Sequence, residues 1–380
     1  PAQRRRPEDL FEFHFCRLAL ADYSRDPAAC CPFFEDLQRR SRCGEPGNAR
    51  RMGWAAAEAY LKSAKRVIPP TAFIHTEARC GSTLVMNVLA SNPQVLAFSE
   101  PIQIMLGLGA CIKNKCDLDF FLRFLRLVIG LMGISDTHEW LFLKLGPPSV
   151  LHVQFFQLAY PNTPNIWMHR DPVQVMMSQL QGQRNTDINR YNQWFFDQLG
   201  KDGTMALSTS IQSLNKTGNR PPCLRPLPQA ASALGLRTPR DYAGREEYCA
   251  VYLQKVCEAA AARLAADPLG LPLAYRDEGL AEYVLDLVLP GFLGVHFDLA
   301  ARAKAAAVAT QYSKGVGRRG GERPYKGDAQ EKQSDAWPDL VDNAEKYVRE
   351  VYNKLVDIEG EKIEQVKNKT LGHHRTTIFW

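Results

Sequence analysis

The chain has 380 residues, 45% hydrophobic and 23% charged, an ordinary globular composition. That balance excludes intrinsic disorder, a collagen-like repeat and a coiled-coil rod as the main architecture, and the length allows one large or two modest domains. Lys and Arg exceed Asp and Glu by 47 − 41 = +6, which suits an anionic ligand and is too diffuse to argue for nucleic acid.

Residues 1–66 read as helical, with apolar stripes over Leu10 to Leu20, Phe33 to Arg40 and Trp54 to Val67. Pro69-Pro70 end this preface. Ala72-Phe73-Ile74 is a short apolar run followed by a polar loop and a helix over Thr83 to Ala90, a strand–loop–helix unit. The apolar stretch from Phe120 to Ile134 carries Arg123 and Arg126, so no membrane-spanning helix is expected there. Leu141-Phe142-Leu143 is a further strand. Asn165-Ile166-Trp167-Met168 with the helix Val173 to Gln183 forms a second strand–helix unit, and Leu273-Ala274-Tyr275 is another strand. Strands alternating with helices predict an α/β fold with a central, mostly parallel sheet flanked by helices.

From Lys201 to Arg245 the pattern dissolves into Pro221, Pro222, Pro226, Pro228 and Pro239 among Gly, Ser and Arg, which predicts a long surface insertion. A helix resumes over Glu246 to Ala266, and Gly315 to Gln330 reads as a mobile loop. Trp337, Val341, Ala344, Val348, Val351, Leu355 and Ile358 then mark one apolar face of a long helix. Three heptads are marginal for a coiled coil, so this face is expected to dock on the core. The division expected is a helical extension over 1–68, an α/β domain over 69–335 and a C-terminal helix with tail over 336–380.

The ten cysteines include no CxxC pair, so no zinc pattern is present and no metal is expected; their pairing stays open. Asn215 and Asn368 open Asn-Lys-Thr sequons, which permit glycosylation in a luminal chain. The chain opens on Pro1, from which a processed or trimmed chain is expected, with any signal, anchor or transit peptide outside it.

Chemistry concentrates at the ends of the predicted strands. Arg79-Cys80-Gly81-Ser82-Thr83 lies between the first strand and its helix. Gly81 permits close backbone approach, the helix N-terminus favours an anion, and Arg79 adds a fork-shaped cation. A structural N-capped turn is the alternative for this segment. No GxxxxGK[ST] string occurs, which disfavours an ordinary P-loop ATPase or GTPase. Arg170 closes the second strand and Ser178 follows eight residues later, where a common ligand is within reach of both. Ser99-Glu100-Pro101 lies one helix beyond the loop, and Lys144 ends the Leu-Phe-Leu strand. Each has a plain structural alternative: Asp171 as an N-cap, Glu100 as a surface carboxylate, Lys144 as a snorkelling lysine.

Together these segments resemble the sulfotransferases that use 3′-phosphoadenosine-5′-phosphosulfate (PAPS). Phe73 to Pro101, with the RCGST loop, Asn92-Pro93 and Ser99-Glu100-Pro101, looks like their phosphosulfate-binding loop, helix and following strand. Asn165 to Ser178 is similar to their 3′-phosphate-binding strand and helix. LFLKLGPP around Lys144, LAYRDEG with GFLGV over Leu273 to Val295, and Tyr312-Ser313-Lys314 resemble later family segments. The resemblance implies a P-loop-like sulfotransferase fold. It implies that Arg79, Cys80, Gly81, Ser82 and Thr83 hold the 5′-phosphosulfate, and that Arg170 and Ser178 hold the 3′-phosphate. Tyr275, Ser313 and Lys314 would complete the site, and Lys144 would stabilise charge on the transferring group. Glu100 matches the catalytic carboxylate of the tyrosylprotein sulfotransferases at the same spacing from the loop arginine. The cytosolic enzymes instead use a histidine two residues beyond the equivalent lysine, a position held here by Gly146.

The implied reaction is sulfonyl transfer from PAPS to the hydroxyl of an alcohol, phenol, sugar or protein tyrosine, leaving 3′,5′-ADP. The alternative is a catalytically silent sulfotransferase-like subunit of a larger assembly, and a homodimer is left open. Cys80 and the Glu77-Ala78 pair depart from the family pattern, and Glu77 should weaken phosphate binding unless it points away. His75 and His169 read as structural strand residues, with His138 and His152 as reserve bases. The compartment points to the Golgi lumen, where the carboxylate-using relatives reside, with an organelle matrix or the cytosol left open.

Overall fold

The computed structural model describes residues 6–180, 223, 234–237, 241–311, 324 and 326–375. Ser313, Lys314, Asn215 and most of the Lys201–Arg245 insertion lie outside the described residues. Seven strands occur among them: β1 (Glu12–Cys16), β2 (Ala49–Gly53), β3 (Pro70–Thr76), β4 (Val95–Ser99), β5 (Trp140–Leu145), β6 (Asn165–His169) and β7 (Gly270–Ala274).

The predicted α/β architecture is present. Five strands form one sheet in the order β4-β5-β3-β6-β7, and every pair is parallel. Such strands are covered on both faces and need continuous apolar runs, which β3, β4 and β5 supply. Successive side chains point to opposite faces. In β6, Ile166 and Met168 join the core that contains the Ser82–Ala90 helix, while Trp167 joins the core of the Pro172–Leu180 and Arg245–Leu264 helices. The chain leaves central β3 for β4 on one side and later crosses to β6 on the other. That reversal makes the carboxyl end of β3 a topological switch point, where open α/β sheets bind ligands.

The amino-terminal region corrects one expectation. Leu10 to Leu20 is not a helix: β1 pairs antiparallel with β2, Phe13 opposite Met52. Phe11, Phe13 and Phe15 alternate with exposed Glu12 and His14, a period of two that defeats the helical reading. The Phe11 and Phe13 rings meet Trp54, and Phe11 also meets Phe120 and Phe124, with Phe11–Phe124 centroids 4.9 Å apart and Trp54–Phe120 4.7 Å apart. Each such pair contributes roughly 0.5–1.5 kcal/mol beyond burial, enough together to dock the extension on the Leu118–Met132 helix. Phe34–Arg40 is a helix as expected, and the helix expected over Trp54 to Val67 ends at Ser63.

The expected long C-terminal helix is two, Pro338–Tyr347 and Arg349–Arg375, joined at Val348 with φ −112°. Hydrogen bonds still run from Val348 to Ala344 and from Tyr352 to Val348, so the apolar face stays continuous. Ala344, Val348, Val351, Leu355 and Ile358 are buried in the core, as the docking reading requires. Among the described residues no helix is long and apolar enough to cross a membrane. Four disulfides join Cys16 to Cys43, Cys30 to Cys31, Cys111 to Cys116 and Cys223 to Cys249, leaving Cys80 and Cys257 free and buried.

Candidate active site

The loop after β3 is tightly wound. Ala78, Arg79 and Gly81 have φ of 69°, 61° and 77°. The two non-glycine residues there each carry a cost of about 1–3 kcal/mol, and such strain gathers where a backbone is shaped for a ligand. Gly81 is required for a second reason: a Cβ there would stand 2.4 Å from Cδ2 of Tyr275. The aromatic ring therefore packs directly on the loop. Behind it, the nine-residue Ser82–Ala90 helix turns its positive dipole end toward the loop.

The side chains of the loop divide. Cys80 is wholly buried and its Sγ lies 2.8 Å from Thr76 Oγ1, so its thiol turns into the core. Burial pushes this thiol up to about 11, which keeps it neutral. Ser82 Oγ also turns inward, 3.2 Å from Thr76. Thr83 points the other way, accepting from Lys144 Nζ at 3.2 Å.

Lys144 is the hub of the first cluster. Its β5 position pairs in register with Ser99 of β4, which sets the two side chains beside each other. The ammonium donates to Ser99 Oγ at 3.3 Å and pairs with Glu100 Oε1 at 2.7 Å. Glu100 sits at φ 57°, and its N–H donates to the Lys144 carbonyl at 2.8 Å. The two differ in access: the Lys144 side chain is 1% exposed and that of Glu100 42%. The carboxylate is thus the member a molecule from solvent meets. Phe33, from the amino-terminal extension, places its ring 5.3 Å from Lys144 Nζ, a cation–π contact that nothing in the sequence signalled.

A second cluster lies at the ends of β6 and β7. Arg79 Nε donates to Ser178 Oγ at 2.8 Å, so two residues expected at opposite ends of a nucleotide meet directly. Arg170, 5% exposed, lies over the Tyr275 ring at 4.0 Å. It donates to Gln174 Oε1 at 2.8 Å and to Asp328 Oδ1 at 2.6 Å. Tyr275 donates its hydroxyl to Asp277 Oδ1 at 2.9 Å. Asp171 caps the Pro172–Leu180 helix by accepting from the Val173 and Gln174 N–H groups, as its plain reading held.

Glu77 turns inward, beneath the Arg170 backbone. It is 2% exposed, and its Oε1 accepts from the Arg170 N–H at 2.6 Å while Oε2 accepts from Cys257 Sγ at 3.3 Å. Burial raises its pKa to about 8 against the smaller opposing pull of those bonds, which favours the neutral form far more than in an exposed carboxyl.

Of the expected residues, Thr83, Lys144 and Glu100 come together, and so do Arg79, Ser178, Gly81, Tyr275 and Arg170 in a chain of contacts. His75 and His169 are buried in β3 and β6, and burial lowers their pKa values to about 4 and about 3. His138 precedes β5 at its amino end and bonds to Ser135, which removes it as a reserve base for Lys144's end of the sheet. His152 closes the Pro147–His152 turn, where burial lowers its pKa. Sequence reasoning missed Phe33, Asp277, Asp328 and Lys332. Asp328 and Lys332 sit at the end of the segment read as a mobile loop and just beyond it, and the helix Ala329–Ser334 packs on Pro172–Leu180.

No protein-family model matches the chain, and no curated protein matches it. Among solved structures, it is similar to the sulfotransferase domain of the Synechococcus PCC 7002 olefin synthase, at 14% identity and a TM-score of 0.38. That match covers 74% of this chain and 96% of that one. Sulfotransferase STF9 from Mycobacterium avium matches at 11% identity and a TM-score of 0.36, over 66% of this chain and 71% of that one. Neither likeness is close enough to carry an argument, so the function rests on the geometry above.

Proposed function

We propose that this chain is a sulfotransferase that moves a sulfonyl group from PAPS to a hydroxyl acceptor. The observation that carries the reading is the Glu100–Lys144 pair, whose ammonium also reaches Thr83 on the helix behind the glycine loop. The opening residue of the same loop, Arg79, reaches Ser178 on the helix that follows Arg170. Cations in two clusters, Lys144 in the first and Arg79 with Arg170 in the second, fit a ligand with two anionic groups.

PAPS supplies the activated sulfonyl group and, on its ribose, a 3′-phosphate. Glu100, the solvent-facing partner, accepts the proton of the acceptor hydroxyl as that oxygen bonds to sulfur. Lys144 stabilises negative charge on the sulfonyl oxygens and on the phosphate oxygen that leaves as its bond to sulfur breaks. Thr83 and Ser99 hold the ammonium for that task. The products are a sulfate ester and 3′,5′-ADP. The carboxylate base is the arrangement of the tyrosylprotein-type enzymes, and the acceptor is a hydroxyl of a small molecule, glycan or protein. Four disulfides support an oxidising compartment such as the Golgi lumen.

Arg170→Ala tests the reading. Losing one charge-assisted contact costs on the order of 1.5–3 kcal/mol of binding, so 3′,5′-ADP weakens strongly. The affinity for 5′-AMP, which has no 3′-phosphate, stays nearly unchanged. Calorimetry that finds equal losses for the two nucleotides removes Arg170 from the site.

A further inference from the structure

The second cluster contains more positive charge than the proposed reading uses. Lys332, 6% exposed on the Ala329–Ser334 helix, stands close enough to Arg170 and Arg79 for both to press its pKa downward, after burial itself. Buried cations brought this near to one another need an anion between them. In this structure the anion is the chain's own. Asp328 gives one oxygen to each cation, Oδ1 to Arg170 at 2.6 Å and Oδ2 to Lys332 at 2.5 Å. The two cations are nearly sealed, whereas the Asp328 side chain is 43% exposed. The carboxylate therefore closes the solvent side of the cluster.

Its backbone is fixed independently. The Asp328 and Ala329 N–H groups donate to Asp277 at 3.2 and 3.1 Å, and a Cβ at Gly327 would stand 2.5 Å from Asp277 Oδ2. The Asp328 side chain can thus swing out while its main chain stays held. A phosphate monoester carries about −1.5 to −2 charge at neutral pH and three acceptor oxygens, more of both than a carboxylate.

We infer that Arg170 and Lys332 form a phosphate seat that Asp328 fills in the ligand-free chain and leaves when a nucleotide bearing a 3′-phosphate binds. This rests on the proposed reading of the Arg170 end of the site. Lys332 is then a second cation of the 3′-phosphate site, and Asp328 is its internal competitor.

Calorimetric titration of the full chain with 3′,5′-ADP and 5′-AMP tests the seat, with Asp328→Asn and Lys332→Met beside the wild type. Asp328→Asn keeps the shape and removes the competing charge. It is expected to tighten 3′,5′-ADP by about tenfold and leave 5′-AMP within about twofold, while the ligand-free melting temperature falls because Lys332 loses this counter-ion and Arg170 is left with Asp277 at 3.8 Å. Lys332→Met, of similar length, is expected to weaken 3′,5′-ADP by about tenfold or more and again spare 5′-AMP. Should Asp328→Asn not fold, the lysine variant decides alone. A wild type that prefers 3′,5′-ADP, with variants that bind it no differently, overturns the seat and leaves the sulfotransferase reading standing. A wild type with no such preference overturns both.

Discussion

Glu100→Gln is expected to lower turnover of a responsive acceptor by roughly 10²–10⁴-fold, the usual contribution of a general base. The glutamine keeps the size of the side chain and can still accept a bond from Lys144, so the loss isolates proton acceptance. Affinity for 3′,5′-ADP should stay within about threefold, under ~0.7 kcal/mol, because the acceptor side of the site is altered and the nucleotide side is not. The side chain is 42% exposed and held at φ 57°, a backbone cost that a mere surface carboxylate would not justify. A panel of phenols, sugars and tyrosine peptides, assayed with PAPS, identifies the acceptor first. Wild-type turnover by the glutamine variant would place the base elsewhere, with His152 next in line.

Lys144→Met is expected to cost roughly 10²–10³-fold in turnover, the scale of losing one preorganised donor aimed at developing charge. The ammonium is 1% exposed, so its field acts where water screens it little. Thr83, Ser99 and Glu100 place it to within a hydrogen bond on three sides, and the Phe33 ring contributes a further contact. Arginine should not rescue the loss, because its planar fork does not reproduce a single ammonium held by Thr83, Ser99 and Glu100. The check is single-turnover transfer to the same acceptor, where unchanged rates would reduce Lys144 to a structural lysine.

What the sequence disclosed is what a short stretch of chain can encode. Arg79-Cys80-Gly81-Ser82-Thr83 was legible because a glycine and a helix start are local requirements, and Arg170 with Ser178 because strand end and helix face follow from neighbouring residues. Lys144 and Glu100 were each legible, but their ion pair depends on the β4–β5 register, which no local pattern states. Phe33 arrives from 111 positions before Lys144, and Asp328 from 158 positions after Arg170. Contacts of that kind come from packing the whole sheet. The misread β1 was a different failure: Phe11, Phe13 and Phe15 showed the period of a strand within a segment whose general composition suited a helix. Glu77 raised an electrostatic objection that its burial and its bond to the Arg170 N–H answer.

The most direct measurement of the central claim is the melting temperature of the wild-type chain with 3′,5′-ADP, 5′-AMP or ATP, one nucleotide at a time. A ligand at a hundred times its dissociation constant stabilises the folded state by about 2.7 kcal/mol. The account predicts a clear upward shift with 3′,5′-ADP and a much smaller one with 5′-AMP or ATP at the same concentration, because Arg170 and its neighbours bind a 3′-phosphate. An equal response to all three nucleotides, or none to any, would contradict it and leave a silent assembly subunit as the better description.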